Sequence, residues 1–116
     1  MSRRVKRGSK VRVASNSAPI FAALGDETRL RLIGALCVGG ALSISQLTAG
    51  SDYTRQGITK HLDVLAAAGL VRDAKVGRER LWEFDPTELL KALQSLQVIA
   101  AQWDAALQRL KLAVEQ

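Results

Sequence analysis

The C-terminal part of the chain carries the pattern that most constrains its fold, an uninterrupted helical repeat. Residues 87–116 contain no glycine or proline. The preceding Asp85-Pro86-Thr87-Glu88 combines an N-cap, a proline at the first helical position and a glutamate at the third. We therefore predict one helix over residues 86–115, about 45 Å long at 1.5 Å per residue.

Apolar residues follow this helix at alternating spacings of four and three, as in the seam of a coiled coil. The seam consists of Leu89, Leu93, Leu96, Ala100, Trp103, Leu107, Leu110 and Val114. Such a helix can lie on its own domain, but a chain of 116 residues has little other surface to cover it with. We therefore expect a homodimer in which the seam from Leu89 to Leu110 forms the interface.

Composition excludes several classes of protein. One cysteine, Cys37, and one histidine, His61, rule out a disulfide framework and a zinc site built from several thiolates or imidazoles within one chain. No apolar run approaches the roughly 18 residues that span a bilayer. We expect a cytoplasmic protein that needs no membrane, metal or cofactor.

The positive charge is concentrated at the N-terminus. Six lysines and arginines and no acids occur in the first 13 residues, which leaves 11 basic and 11 acidic residues in the rest. We divide the chain into a flexible basic arm, residues 1–17, and a single domain, residues 18–116. The arm is a polyanion contact or a solvated terminus, and a truncation that starts at Ala14 distinguishes the two. A transit peptide is a third interpretation, which the alternation Val11-Arg12-Val13 disfavours.

The middle of the chain predicts three helices and a hairpin. Asp26 caps a helix that ends at Gly39-Gly40, Ser45 caps a short helix, and Thr54 caps one whose apolar stripe is Ile58, Leu62 and Leu65. Residues 70–75 and 80–84 alternate as strands around a turn that contains glycine. The outline is a helix-turn-helix followed by a β-hairpin.

Four segments in this order resemble the ArsR-type winged-helix repressors. Residues 21–33 resemble the opening of that family, residues 54–62 and 68–71 its recognition helix and exit, and Gly77-Arg78 its wing. The first three segments are FAALGDETRLRLI, TRQGITKHL and AGLV. The resemblance implies a mainly α fold with a small β-hairpin wing, that is, a winged helix-turn-helix with a long C-terminal dimerisation helix.

The same resemblance implies a transcriptional regulator, by the family's habit a repressor, that binds double-stranded DNA as a homodimer on a palindromic operator. Side chains at the start of the recognition helix and on the wing would contact the DNA. These are Thr54, Arg55, Gln56, Thr59, Lys60, His61, Arg78 and Arg80. Of them, Arg55, Gln56 and Thr59 are expected at base edges and Thr54 or Lys60 at phosphates. A structural hydrogen bond between helices is the alternative for His61.

The chain departs from the metal-sensing members of that family. Cys37 matches the first thiol of their cysteine pair, but Gly39 stands at the second position, so we expect no metal site. Cys37 falls on the apolar side of its helix, and we predict a buried small hydrophobe rather than a redox switch. The family's architecture suggests an apolar cleft near Trp103 for an unidentified small-molecule effector.

Other functional classes fit the sequence less well. An enzyme needs a nucleophile–base pair, a metal cluster or a phosphate loop, and we find none. The alternatives that stay open are a winged-helix module for protein–protein interaction and an architectural DNA-binding protein without sequence specificity. Substitution of Arg55 and Gln56 should abolish sequence preference only if the DNA-binding interpretation is right.

Overall fold

The computed structural model describes residues 17–115. The predicted arm lies almost entirely outside this part of the chain. The order of elements is α1 (Ala18–Leu24), α2 (Glu27–Gly39), β1 (Leu42–Ser43), α3 (Ile44–Thr48), α4 (Arg55–Ala67), β2 (Val71–Val76), β3 (Glu79–Phe84) and α5 (Thr87–Glu115). The predicted class, mainly α with a small hairpin and a long C-terminal helix, is confirmed.

Local capping explains where the first helices begin and end. The backbone N–H of Arg29 donates to the Asp26 carboxylate at 3.0 Å, which satisfies one of the free donors of α2. The helix ends at Gly40, whose φ of 78° is strained for other residues. Both boundaries agree with the sequence prediction.

The strands form one antiparallel sheet in the order β1-β3-β2. In the hairpin, Val76 pairs with Glu79, so Gly77 and Arg78 make a two-residue turn, and Gly77 has φ +65°. Trp82 is 1% exposed and Phe84 packs against the same core. The predicted wing and its apolar face are therefore confirmed.

The core lies where α1, α2 and α4 meet the sheet and the beginning of α5. It is formed by Ile20, Ala23, Leu32, Ile33, Leu36, Ile58, Leu62, Leu65, Leu70, Val71, Trp82 and Ala92. The predicted stripe of α4 belongs to this core, and none of its three residues is more than 1% exposed. The buried stripe therefore fixes which face of α4 is left to solvent.

Helix α5 begins one residue later than predicted. The Asp85 carboxylate accepts from the backbone N–H of Thr87 at 3.1 Å, and the first helical bond runs from Leu90 to the carbonyl of Pro86. The helix touches its own domain near its start, where Ala92 is buried. The Cα radius of gyration is 19.2 Å, against about 13 Å for a compact chain of this length, because the rest of α5 extends away.

Ser17 belongs to the folded domain, although the sequence placed it at the end of the arm. Its side chain is buried, and its hydroxyl oxygen lies 3.3 Å from that of Ser95 on α5. Because this contact joins the residue before α1 to the long helix, the folded part starts one residue earlier than the predicted boundary.

Most of the predicted seam faces solvent in the single chain. Leu89 packs against the core, whereas Trp103 is 65% and Leu110 61% exposed. The exposed members also include Leu93, Leu96, Ala100, Leu107 and Val114. A soluble protein rarely leaves so continuous an apolar surface uncovered.

The prediction that Cys37 is buried is wrong. The inward face of α2 consists of Leu32, Ile33 and Leu36, and Cys37 lies outside it with Val38. Apolar residues occur on two sides of this helix, so spacing alone did not determine which side packs inward. Within residues 17–115, the structure groups no three potential metal-ligating side chains, and none of its helices is long and apolar enough to cross a membrane.

Candidate nucleic-acid interface

Helix α4 is anchored at its start and on one face. The Thr54 hydroxyl accepts from the backbone N–H of Gly57 at 2.9 Å, as predicted for the N-cap. With Ile58 and its stripe buried, Gln56 and Lys60 lie exposed on the opposite side. These two side chains are therefore presented outward by a helix whose orientation is fixed.

The short helix before it is capped by a different serine from the one predicted. Ser43 accepts from the backbone N–H of Gln46 at 3.2 Å, and the Gln46 side chain accepts from the N–H of Ser43 at 2.8 Å. This reciprocal pair is a capping box. The prediction that Ser45 is the cap is wrong, and the Ser45 hydroxyl is left free for another contact.

Ser45 contacts the recognition helix instead. Nη1 of Arg55 donates to Oγ of Ser45 across 2.8 Å. Sequence inspection missed this serine because ten residues separate it from Arg55. The Ser43-x-x-Gln46 spacing was the one signal available, since it marks Ser43 as the cap.

A cleft of about 410 Å³ lies between α3, the beginning of α4 and the wing. It brings together three of the predicted DNA-binding residues, namely Arg55, Arg78 and Arg80. The rest of its lining consists of Ser43, Ile44, Ser45 and Glu79. Arg80 is paired with Asp73. Among the described residues the other two arginines of the lining form no ion pair, and against Glu79 they leave an excess of positive charge that attracts anions.

The wing arginines are held differently. Nε of Arg80 donates to the Asp73 carboxylate at 2.6 Å, and the guanidinium lies 4.9 Å from the centre of the Trp82 ring. Arg78 is exposed at the turn beside Gly77. The side chain of Arg80 is therefore ordered by protein contacts, while Arg78 stands at the tip.

A second set of charged side chains links the base of the wing to the residues before α5. Arg72 donates to Glu83 at 3.0 Å and to Asp85 at 3.1 Å. The hydrogen bond and charge of Glu83, with the charge of Asp85, raise the pKa of Arg72 above its ordinary value. The hydrogen bonds of Thr87, followed by the charge of Arg72, lower the pKa of Asp85. These groups connect the hairpin to the start of α5.

The structure places His61 on the other flank of α4. Its Nδ1 lies 3.2 Å from Nη1 of Arg29, and the same guanidinium donates to the carbonyl of Ala23 at the end of α1. The half-buried His61 therefore joins α4 to α1 and α2, which favours the structural alternative of its two predicted roles. Arg29 was not among the predicted site residues.

Two further hydrogen bonds position the start of α4. Thr28 on α2 donates to the hydroxyl of Tyr53 at 3.2 Å, one residue before the cap. Thr59 donates to the backbone carbonyl of Arg55 at 2.7 Å, one turn earlier. The Thr59 hydroxyl is thus engaged within the helix, which leaves chiefly its methyl group for a contact outside it.

These features define a winged helix-turn-helix. Comparison with known proteins agrees, since residues 24–74 match a helix-turn-helix domain family. The uncharacterized HTH-type transcriptional regulator YuzN of Bacillus subtilis is 36% identical over 85 residues, 68% of this chain and 92% of its own length. The solved structure of an ArsR-like transcriptional regulator from Rhodococcus is 39% identical, with a TM-score of 0.74 over 85% of this chain and 92% of that one.

A third relative is the arsenical resistance operon repressor of Escherichia coli. It is 36% identical over 59 residues, 51% of this chain and 50% of its own length. The chain belongs to the ArsR-like family of helix-turn-helix transcriptional regulators.

Proposed function

We propose that this protein is a sequence-specific DNA-binding regulator that acts as a homodimer on a palindromic operator. One observation carries the proposal: the capped and packed helix α4 presents Gln56 and Lys60 outward, beside a cleft lined by arginines. Such a helix fits the major groove, and the wing follows the adjacent backbone. The role is regulatory rather than catalytic.

The exposed seam of α5 supports the homodimer. A second copy that packs on Trp103, Leu107 and Leu110 would remove large apolar side chains from water. Two-fold symmetry then places two recognition helices about one helical turn of DNA apart, 34–36 Å. The interface is expected along the seam from Leu89 to Leu110.

The remaining assignments follow from the same proposal. The name of the E. coli relative favours repression as the sign of regulation. The basic arm, which lies outside the described residues, would add non-specific attraction to DNA. A cytoplasmic, nucleoid-associated location follows from DNA as the partner, and the effector expected near Trp103 stays a prediction.

Selection from a pool of random duplex DNA tests the proposal. We expect the wild-type protein to enrich a palindromic motif with half-sites one turn apart, and Gln56→Ala to lose preference at one position of each half-site. Lys111→Ala, which removes an exposed charge from α5, is the control and should select the wild-type motif. Binding without a motif would favour an architectural protein, and absence of binding would favour a protein–protein module.

A further inference from the structure

We propose that the cleft between α3, α4 and the wing binds one phosphodiester group of the DNA backbone, and that Arg55 is a backbone contact rather than a reader of bases. Arg55 and Ser45 would hold the phosphate from the helix-turn-helix side, and Arg78 from the wing. This inference deepens the proposed function and rests on it.

The contact between Arg55 and Ser45 is the first argument. The guanidinium of Arg55 donates one hydrogen bond to the serine oxygen at 2.8 Å. Its other N–H groups can donate to an acceptor outside the protein. The Ser45 hydroxyl accepts this bond, so it keeps its own O–H to donate. Together they offer a charged donor and a neutral donor to one oxyanion.

The distribution of charge in the cleft is the second argument. Asp73 forms an ion pair with Arg80, but among residues 17–115 no ion pair involves Arg55 or Arg78. Both side chains are exposed where the cleft opens to solvent. Glu79, which also lines the cleft, reduces the attraction for an anion without neutralising both arginines.

The direction of Arg55 on its helix is the third argument. Successive residues of an α-helix are about 100° apart, and the guanidinium of Arg55 reaches across to α3. Gln56, the next residue, lies on the exposed face opposite Ile58. When that face enters a major groove, its flank meets the phosphates at the groove's edge. Base recognition then falls to Gln56, whose amide can pair bidentately with adenine.

The test compares Arg55→Ala and Ser45→Ala with Arg109→Ala, which removes an exposed arginine from α5. Affinity is measured by fluorescence anisotropy on the selected operator and on a shuffled duplex, over a range of salt concentrations. We expect Arg55→Ala to weaken binding to both duplexes by a similar factor, roughly ten-fold. Because the bound dimer carries two copies of Arg55, the variant's plot of log K against log salt should be shallower by about 1.8, which is about 0.9 for each lost phosphate contact.

The companion variants have distinct expected results. Ser45→Ala should weaken binding to both duplexes with an unchanged salt slope, because no charge is lost. Glu79→Gln should strengthen binding to both, and Arg109→Ala should change neither affinity nor slope. Circular dichroism on each variant establishes that it is folded.

Two outcomes would overturn the inference. In the first, Arg55→Ala removes the preference for the operator at an unchanged salt slope, which would make Arg55 a base reader. In the second, inorganic phosphate binds tightly and saturably without DNA, as seen in the Nε–H signal of Arg55, which would assign the cleft to a free anion. A wild-type protein that binds both duplexes equally would contradict the proposed function alone, since the salt slope on the shuffled duplex still tests the phosphate site.

Discussion

Arg29 of α2 and His61 of α4 meet across 3.2 Å, which connects α2 to the recognition helix. A guanidinium group only donates hydrogen bonds, so Nδ1 of the imidazole accepts and its proton is on Nε2. Since Arg29 also donates to the carbonyl of Ala23, one side chain holds three helices in register. This contact adds to the buried stripe of α4 in holding that helix against α1 and α2.

Replacing His61 by alanine should therefore affect stability more than DNA affinity. We expect the free energy of unfolding to fall by about 1 kcal/mol, because a partly buried hydrogen bond is lost. Lys60→Ala, one residue away and exposed, should change stability by less than about 0.5 kcal/mol but weaken DNA binding. Urea denaturation measures the free energy of unfolding, and fluorescence anisotropy on the same samples measures DNA affinity. The opposite pattern would show that His61 is a DNA contact.

The N-cap of α2 should make stability depend on pH in the acid range. The hydrogen bond from the Arg29 backbone N–H, with the charge of Arg29, outweighs desolvation and lowers the pKa of Asp26 below its ordinary value of 3.8. Just below that value the Asp26 carboxyl group is protonated in the unfolded chain but still ionised in the folded chain. Stability is therefore fully present above about pH 4 and is lost as the pH falls through the folded pKa.

Asp26→Asn isolates this contribution. An asparagine keeps the oxygen that accepts from Arg29 but does not titrate. We expect its free energy of unfolding to fall less steeply between about pH 4 and pH 2 than that of the wild type. The lowered pKa of Asp85 acts in the same window, so Asp26→Asn/Asp85→Asn should be flatter still. Parallel curves for wild type and Asp26→Asn would contradict the assignment.

Two glycines should respond in opposite ways to alanine. Gly69 has φ +83°, and a Cβ there would lie 2.8 Å from Cγ of Glu88 on α5. We expect Gly69→Ala to destabilise the protein by about 1–2 kcal/mol, from the left-handed backbone alone. Gly34 lies within α2 with nothing within 4 Å of an added Cβ. Gly34→Ala should stabilise by about 0.5–1 kcal/mol.

Thermal unfolding of both glycine variants at one protein concentration is the measurement, because dimer formation makes the melting temperature depend on concentration. A Gly69→Ala variant as stable as the wild type would mean that Glu88 and the turn adjust without strain.

A charge in the seam of α5 should separate the two subunits. Leu107 is 48% exposed in the single chain, so burial of the remaining half of its side chain in a dimer would contribute roughly 0.8–1.5 kcal/mol per subunit, and a buried carboxylate at this position would add its own desolvation cost. We expect Leu107→Glu to raise the dissociation constant of the dimer by at least about 100-fold. Gln108→Glu adds the same charge one residue further along, away from the seam, and should leave the dimer intact.

Analytical ultracentrifugation over a range of concentrations measures the dissociation constant of the dimer for the wild type and both variants. If Leu107→Glu dissociates no more readily than Gln108→Glu, the seam is not the interface and its apolar surface has another partner.

Much of the fold could be predicted because its signals are local. The cap at Thr54, the stripe of Ile58 and its neighbours, and the turn at Gly77 each involve residues a few positions apart. The direction in which α2 packs could not be predicted in this way. Its apolar residues lie on two sides, and the other helices determine that Leu36 is buried and Cys37 exposed.

The candidate site shows the same division between local and distant information. The sequence named Arg55, Arg78 and Arg80, and the structure gathers all three around one cleft. The sequence could not show that Ser45 fixes Arg55, because ten residues separate the two and Ser45 was assigned to the cap that Ser43 provides.

Within residues 17–115, α5 is buried against the winged domain only near its start, at Ala92 and Ser95, so the rest of α5 and the winged domain can diverge independently. Substitutions beyond Ser95 act on the choice of a mate, and those in α4 act on the choice of a DNA target. After a gene duplication, one copy could therefore change its dimer interface so that it pairs only with itself and keep the same DNA target. Alternatively, it could change its DNA target and still form dimers with the original protein. Mixed dimers of that second kind would recognise asymmetric sites, which extends the targets available to a small set of related chains.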